Sequence, residues 1–358
     1  MKFGFQFFPD IREDIKPPSQ YYDEAMRLIS LCDEYGFSHV RTVEHYFHRW
    51  GGYSPNPIIF LTAASQHTKT ARMITGALLP AFNSPLKLAS DIGMMDAMCG
   101  GRLDVGFARA FLPQEFRHFE VDIDESIERF EEGVEQVRLL LENENITSSG
   151  KFHSFENVTT FPRPTQKPRP DFYVAAVGTP ASFERAGTMG HGLMAIPGVG
   201  SDPVKLLETY RSAWKRAGHK GSPKTMMAVF MYCHEDGTEA RRLAKPLIEG
   251  HFGEIVSAMA EYNAGSPSDA YQNYDTMREK IVAQTMESQI DCGAAFVGTP
   301  SEIIEQLEVF NEACEGCDEV SMQVNYFGMD VKTAEASIRL FGDTVIPHFH
   351  SESTTRTA

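Results

Sequence analysis

A cation follows an apolar, strand-like run in the stretch LDVGFARAF. Leu103, Val105 and Phe107 alternate in a pattern that predicts a buried strand, and Arg109 stands where that strand should end. A buried guanidinium is costly without a partner, and a phosphate would accept from two of its N–H groups at once. A salt bridge to Glu115 or another loop carboxylate explains the arginine equally well. The stretch therefore indicates either an anion site or an internal ion pair.

A second candidate anion site begins at Val177, where a strand-like run turns into a helix. Gly178 permits a tight turn, Thr179 is a candidate N-cap, and Pro180 suits the first helical position. The first turn of the helix, which includes Ser182, offers unpaired N–H groups and the positive end of the helix dipole to an anion. The same residues also form a good helix start without any ligand, so both interpretations stay open.

An acid and a base stand side by side at the end of the second strand-like run. His45 can accept or donate a proton near neutral pH, and Glu44 precedes it in the chain. The alternative is a structural histidine whose hydrogen bonds are satisfied. Aromatic side chains follow at Tyr46, Phe47, Trp50 and Tyr53. These rings would either cover the fold or form an apolar wall that excludes water around a planar ligand.

Alternating strand-like and helix-like segments would place these residues at one edge of a sheet. The strand-like segments are KFGFQFF, FSHVRTVE, ARMITGALL, RLDVGFA, DFYVAAV, GLMAIP, TMMAVFMYC and EVSMQVNYF. The helix-like segments cover residues 20–34, 57–67, 85–98, 125–142, 180–189, 203–217, 302–314 and 331–346. Several of the strands are apolar on both faces, as parallel strands covered by helices are. Eight such units in series predict an α/β fold, a closed (β/α)8 TIM barrel with its active site at the carboxyl ends of the strands.

Two segments interrupt this alternation. Residues 143–170 are rich in Asn, Gly, Ser and Pro, which predicts an inserted hairpin or irregular loop. Residues 250–294 form a long excursion, and connections of that length are commonly lids or binding loops. We expect a single barrel domain over residues 1–350 and a disordered tail over residues 351–358.

The composition limits the classes of partner. The 358 residues carry a formal net charge of −16, which argues against a nucleic acid because phosphate backbones are bound by clustered Lys and Arg. The N-terminal MKFGFQFF lacks the apolar core of a secretory signal, and no apolar run is long enough to span a bilayer. The six cysteines are scattered, and Cys314 and Cys317 have no second pair at zinc spacing. We therefore expect a cytoplasmic protein without a metal site.

Together these segments resemble the bacterial luciferase family of flavin-dependent monooxygenases. The likeness begins with MKFG and continues through EYGFSHVRTVEHYF, SPNP, GALLPAFNSPLKLASDIGMMDAMCGGRLDVGFARAF, YVAAVGTPASFERAGTMGHG and VGTPSEIIEQL. The combination of Glu-His after the second strand, Gly-Arg-Leu, and Gly-x-x-Arg after the fourth strand is specific. The resemblance implies a (β/α)8 barrel that binds FMN, most often as reduced FMN (FMNH2).

The resemblance assigns roles to the candidate anion sites. Arg109 matches the family arginine that binds the flavin phosphate. The phosphate-binding turn and helix start are matched by Val177, Gly178, Thr179 and Ser182.

Further matches surround the flavin ring. Gly76 and Ala77 match the position at which luciferases carry a non-prolyl cis peptide under the ring. Ala108 stands where luciferases carry a reactive cysteine, so light emission is less expected than oxygenation. His45 matches the catalytic histidine of the family, with Glu44 as the acidic member of the pair.

The function implied by the resemblance is monooxygenation. Reduced FMN and O2 would form a C4a-peroxyflavin that oxygenates a small, apolar or aromatic substrate, with a separate NAD(P)H:flavin reductase as partner. The family tendency is a homodimer. The alternatives are an oxidoreductase of the same superfamily that uses the deazaflavin F420, an aldehyde-oxidising luciferase, and a non-catalytic flavin-binding protein.

Overall fold

Eight parallel strands close into a barrel in this computed structural model, which describes residues 1–198, 202–260 and 274–355. The strands are β1 (Lys2–Phe7), β2 (His39–Thr42), β3 (Arg72–Leu78), β4 (Leu103–Phe107), β5 (Ile146–Ser149), β6 (Ser154–Val158), β7 (Asp171–Ala176), β8 (Gly192–Ala195), β9 (Thr225–Cys233), β10 (Ala295–Gly298) and β11 (Glu319–Gln323). The barrel follows the order β1-β2-β3-β4-β7-β8-β9-β11 and closes through the pairing of β11 with β1. The predicted (β/α)8 barrel is confirmed.

Helices surround this barrel. They are α1 (Pro18–Ile29), α2 (Pro57–Ser65), α3 (Pro85–Met98), α4 (Pro113–His118), α5 (Ser126–Glu142), α6 (Pro180–Met189), α7 (Pro203–Arg216), α8 (Gly237–Ala258), α9 (Tyr274–Val282), α10 (Met286–Asp291), α11 (Pro300–Ala313) and α12 (Val331–Thr355). Seven of them begin at a proline. The fixed φ of proline suits the first helical position, and proline loses no helix hydrogen bond there, because an N–H at that position has no acceptor within the helix. None of the helices in the described part of the chain is both long and apolar enough to cross a bilayer.

Successive residues of each barrel strand point alternately outward and inward. Phe5 and Phe7 on β1 and Val40 on β2 belong to the large apolar core between the barrel and the helices. Gln6 and Arg41 lie between these outward residues and therefore face the barrel interior. A separate apolar cluster fills part of that interior with Ile74, Tyr173, Met194 and Met226. Side chains thus pack the inside of the barrel, and a site is left to the carboxyl ends of the strands.

The interrupting segments agree in part with the sequence predictions. Residues 143–170 contain the predicted hairpin, in which β5 and β6 pair antiparallel. The described part of residues 250–294 is mainly helical and comprises the end of α8 together with α9 and α10. Residues 261–273 lie outside the described residues, so the closure of this segment as a lid stays a prediction.

Several elements differ from the prediction, among them the short helices α4, α9 and α10, which were not predicted. The long helix α8 and the short strand β10, which pairs with the end of β9, were not predicted. The final helix continues to Thr355, so residues 351–355 are helical where a disordered tail was expected. Adding residues to an existing helix costs much less free energy than forming its first turn, so a polar segment can continue a helix that it could not start. Residues 356–358 lie outside the described part.

Candidate active site

A histidine and a carboxylate face each other where β2 leaves the barrel. Nδ1 of His45 lies 3.1 Å from Oε1 of Glu115, a fully buried residue on α4. The same Oε1 accepts the backbone N–H of Tyr46 at 2.9 Å, which fixes the carboxylate. A carboxylate accepts hydrogen bonds, so it favours the tautomer with the proton on Nδ1. Nε2, which has no hydrogen-bond partner among the described residues, is then left to exchange a proton with a ligand.

Glu44 lies in a different environment from its neighbour. Its carboxylate accepts from Tyr46 Oη at 2.5 Å, from Asn83 Nδ2 at 3.1 Å and from the backbone N–H of Leu79 at 3.1 Å. Burial raises the pKa of Glu44 to about 7, although these three donors lower it. Glu44 therefore links the loops after β2 and β3, and its contacts are with protein donors.

Aromatic rings enclose the imidazole of His45. Trp50, Phe8 and Phe111 have ring centroids 4.5, 5.6 and 6.0 Å from that of His45. Of the four aromatic residues singled out in the loop, Trp50 is the one in ring contact with His45, whereas Phe47 is 59% exposed. The apolar wall is thus built largely from residues of other segments.

A second histidine–carboxylate pair was missed by the sequence analysis. Nδ1 of His251, on α8, lies 2.6 Å from Oδ2 of Asp10, and Oδ1 of Asp10 accepts the backbone N–H of Phe327 at 2.7 Å. The ring of Phe8 lies 5.3 Å from that of His251 and also contacts His45. Asp10 directly follows the end of the first strand-like run, which is a signal the sequence contained. His251 lies within a helix and carried no such signal.

The peptide bond between Gly76 and Ala77 in β3 is cis. This confirms the non-prolyl cis peptide that the family resemblance implied. Nη2 of Arg41 donates to the carbonyl oxygen of Gly76 at 3.1 Å. A Cβ atom at residue 76 would lie 1.9 Å from Nε of Arg41, so only glycine fits beside this arginine.

The two candidate anion sites lie on neighbouring strands. Phe107 of β4 is opposite Val174 of β7, so the chain beyond each strand end brings Arg109 toward the turn at Gly178. Ala108 and Arg109 are half-buried, and Ala110 has a φ of +43°. A positive φ is unfavourable for a residue with a side chain and is commonly kept at functional sites.

The start of α6 presents hydroxyl groups at this position. Thr179 is exposed, and its Oγ1 lies 2.7 Å from Oγ of Ser182, while Val177 and Gly178 are half-buried. Thr179 is the N-cap, but its side chain makes no capping bond to the helix backbone. Arg109 and the α6 start thus follow the carboxyl ends of the neighbouring strands β4 and β7, while His45 follows β2 and the Gly76–Ala77 peptide lies in β3.

Comparison with known proteins identifies a family that includes flavin-dependent monooxygenases, and F420-dependent enzymes share its fold. A family model described as luciferase-like monooxygenase matches residues 1–314. The flavin-dependent trigonelline monooxygenase, oxygenase component, of Acinetobacter baylyi is 26% identical over 359 residues, which cover 99% of this chain and 96% of that protein.

Solved structures show the same relationship. The monooxygenase RslO1 from Streptomyces bottropensis has a TM-score of 0.86 and 39% identity, covering 98% of this chain and 100% of that chain. The oxygenating constituent of 3,6-diketocamphane monooxygenase from Pseudomonas putida was solved in complex with FMN. It has a TM-score of 0.80 and 20% identity, covering 97% of this chain and 98% of that chain. At that identity the second likeness shows the fold alone.

Proposed function

The chain belongs to the luciferase-like monooxygenase family, and on this premise we propose that it is the FMN-dependent oxygenase component of a two-component system. Reduced FMN, when bound, supplies two electrons to O2, so that one oxygen atom enters the substrate and the other leaves as water while FMN is released oxidised. The substrate is a small organic molecule with apolar or aromatic character.

The residues at the rim fit the phosphate of FMN. Arg109 offers a cation, and the hydroxyls of Thr179 and Ser182 stand at the start of α6, where helix N–H groups and the helix dipole favour an anion. The hydroxyls bond to each other rather than to the helix backbone, so they can turn toward a ligand. We assign the phosphate to this group together with the backbone of Val177 and Gly178.

The small residues on β3 and β4 suit a planar ring. Ala77 and Ala108 leave room beside the backbone, because neither carries a side chain beyond Cβ, whereas Arg41 occupies the place of a Cβ at Gly76. We assign the flavin ring to the surface formed by Gly76, Ala77 and Ala108. The apolar surroundings would exclude water from the reaction.

We assign proton transfer to His45. Glu115 fixes its ring through Nδ1, which leaves Nε2 to hold or deliver the proton that the oxygenation consumes or releases. Phe8, Trp50 and Phe111 keep water from this nitrogen and offer ring surfaces to an aromatic substrate. Glu44 supports the loop that carries His45 and does not transfer the proton itself.

Two partners belong to the proposal. A separate NAD(P)H:flavin reductase would supply reduced FMN, as the designation "oxygenase component" of the Acinetobacter relative suggests. A second copy of the chain would cover the apolar side chains of Ile59 on α2 and of Met94 and Met98 on α3, which are 69%, 56% and 48% exposed.

The observation that carries the proposal is that Arg109 and the α6 start follow the carboxyl ends of the adjacent strands β4 and β7, and that β4 also pairs with β3, which holds Gly76 and Ala77. The test supplies the purified protein with reduced FMN and, in parallel, with reduced F420, and follows O2 uptake with candidate aromatic substrates. Oxygenated product that requires FMN is the expected result. Turnover with F420 and no O2 uptake would establish the hydride-transfer alternative. Light with a long-chain aldehyde would establish the luciferase alternative.

A further inference from the structure

A buried arginine inside the barrel has no carboxylate partner. Arg41 on β2 is only 5% exposed, and in the described ranges no Asp or Glu lies within ion-pair distance of its guanidinium. It donates to Oε1 of Gln6 and to the carbonyl oxygen of Gly76, and its Nε has no hydrogen-bond partner. Burial lowers the pKa of Arg41 to about 10, and the side chain stays protonated at neutral pH. The cation is therefore held in the barrel without a compensating charge.

Further unsatisfied polar atoms lie on the adjacent strands. Gln6 on β1 is in register with both Arg41 on β2 and Gln323 on β11, so the three side chains share the interior face. Asn325 follows two residues after Gln323, just beyond the end of β11, and is fully buried. Oε1 of Gln323 and both side-chain amide atoms of Asn325 are buried without partners. We call Gln6, Arg41, Gln323 and Asn325 the polar cradle.

The cradle differs from the other end of the barrel interior. Arg72, at the start of β3, is paired through both Nε and Nη2 with the carboxylate of Asp104. The chain has 49 acidic and 33 basic residues, so a lack of carboxylates does not explain an unpaired cation. Buried polar atoms normally find partners, and a group of them without partners calls for a ligand or trapped water.

The charge and the hydrogen-bonding groups of the cradle define the missing partner. A guanidinium pairs best with a planar group that bears two adjacent acceptors and a negative charge, and amide side chains add neutral donors. Neither amide atom of Asn325 has a hydrogen bond to lose, so both can bond to such a group without breaking a contact within the protein. The hydrogen bond from Arg41 to the Gly76 carbonyl places the cation against the peptide that we assign to the flavin ring.

We propose that the polar cradle is a binding site for a delocalised anion. Two sources carry this chemistry: the pyrimidine edge of the reduced flavin, which is anionic when N1 is deprotonated, and a carboxylate or phenolate of the substrate. The flavin source rests on the proposed function, whereas the substrate source does not. In both cases Arg41 selects the anionic ligand over its neutral or oxidised counterpart.

The test measures binding rather than turnover. Arg41→Met, Arg41→Lys and wild type are titrated anaerobically with reduced and oxidised FMN, and separately with benzoate and its neutral isostere benzamide. Arg72→Met is the control, because it removes a half-buried guanidinium of the neighbouring strand β3 that already has a carboxylate partner. In Arg41→Met we expect the affinity for one of the anions to fall about ten- to a hundredfold, because one or more hydrogen bonds to a charged group are lost. The fall should be smaller in Arg41→Lys, which keeps the positive charge.

The outcomes separate the sources. If Arg41→Met loses affinity for reduced FMN but not for oxidised FMN, the anion is the flavin edge. If it loses affinity for benzoate but not for benzamide, the anion belongs to the substrate. Wild-type binding of benzoate that depends on Arg41, without any binding of reduced FMN, would refute the proposed function and retain the cradle. Unchanged affinities for both anions in Arg41→Met would overturn the cradle and leave trapped water as the partner of these atoms.

Thermal unfolding gives a second readout. Arg41→Met removes an unpaired buried charge, so its midpoint temperature of unfolding should equal or exceed that of wild type. Arg72→Met breaks an ion pair, so its midpoint temperature should be lower than that of wild type. A large drop in Arg41→Met would show that the arginine has a purely structural role.

Discussion

Glu115 accepts hydrogen bonds from both Nδ1 of His45 and the backbone N–H that follows it, so a single buried carboxylate fixes the ring and its loop together. This relationship joins α4 to the end of β2 across 70 residues of sequence. It leaves Nε2 of His45 as the nitrogen that can act on a ligand.

The first prediction concerns this pair. Glu115→Gln replaces the carboxylate beside Nδ1 by an amide that can also donate, so the ring can change its tautomer, and we expect kcat to fall about a hundredfold while the affinity for FMN changes little. Stopped-flow turnover and FMN titration measure the two effects. Glu308→Gln is the control, because that carboxylate lies 2.8 Å from Nε2 of His348 on the exterior. Equal kcat in wild type and Glu115→Gln would contradict the role of His45.

The second prediction concerns pH and stability. Burial raises the pKa of Glu44 to about 7 in the native state, above its ordinary value of 4.5. Between these values the native state binds the proton more tightly than the unfolded state, so the contribution of Glu44 to stability falls as pH rises through 4.5 to about 7. The change should reach about 3 kcal/mol at most.

Urea unfolding from about pH 5 to about pH 8 measures the slope of the free energy of unfolding against pH. Glu44→Gln should flatten it, and Glu308→Gln should leave it unchanged. A slope in Glu44→Gln equal to that of wild type would show that another group titrates.

The third prediction concerns the pair at the end of β1. Asp10→Ala leaves Nδ1 of His251 and the backbone N–H of Phe327 without their acceptor, so we expect a loss of about 2 kcal/mol in the free energy of unfolding. Hydrogen exchange of α8 should rise together with this loss, because the bond joins that helix to the barrel. Unchanged exchange in α8 would show that the pair does not hold the helix.

The fourth prediction concerns Gly76. In Gly76→Ala the new Cβ would lie 1.9 Å from Nε of Arg41, so the guanidinium must move and we expect a loss of about 1–3 kcal/mol together with weaker FMN binding. Gly253→Ala on α8 is the control, since no atom lies within 4 Å of its added Cβ and helix propensity favours alanine by up to about 1 kcal/mol. Full FMN affinity in Gly76→Ala would contradict the placement of the flavin ring.

The fifth prediction concerns assembly. Ile59→Glu and Met94→Glu place charges on the exposed apolar side chains of α2 and α3, so both should convert a dimer into monomers because burying an unpaired charge is costly. Light scattering coupled to gel filtration measures the mass. Val309→Glu is the control, as Val309 is 68% exposed on α11. Dimers that persist in both variants would exclude this face.

The sequence patterns predicted the barrel because its strands are apolar on both faces and its helices begin with clear signals. At the second Gly-Thr-Pro, residues 298–300, Thr299 and Glu302 form a capping box that begins α11. The strand β10, Ala295–Gly298, lies between the long excursion at residues 250–294 and the helix at residues 302–314, where no strand was assigned. The helix α8 lies in a region where the pattern was taken as a connection.

The site was predictable only where one short segment carries it. Glu44 and His45 are adjacent in sequence, yet their environments differ because tertiary contacts from α4 and the loop after β3 decide them. The pairing of Asp10 with His251 spans 241 residues and has no local signal. The unpaired charge of Arg41 also depends on which side chains the closed barrel brings beside it.

The binding of reduced FMN through its phosphate is the claim on which the account depends. An anaerobic titration of wild type and Arg109→Ala with reduced FMN and with reduced riboflavin, which lacks the phosphate, tests it most directly. We expect wild type to bind reduced FMN about a hundredfold more tightly than reduced riboflavin, and Arg109→Ala to lose most of that preference. Equal affinity of wild type for the two flavins, or no binding of either, would contradict the account.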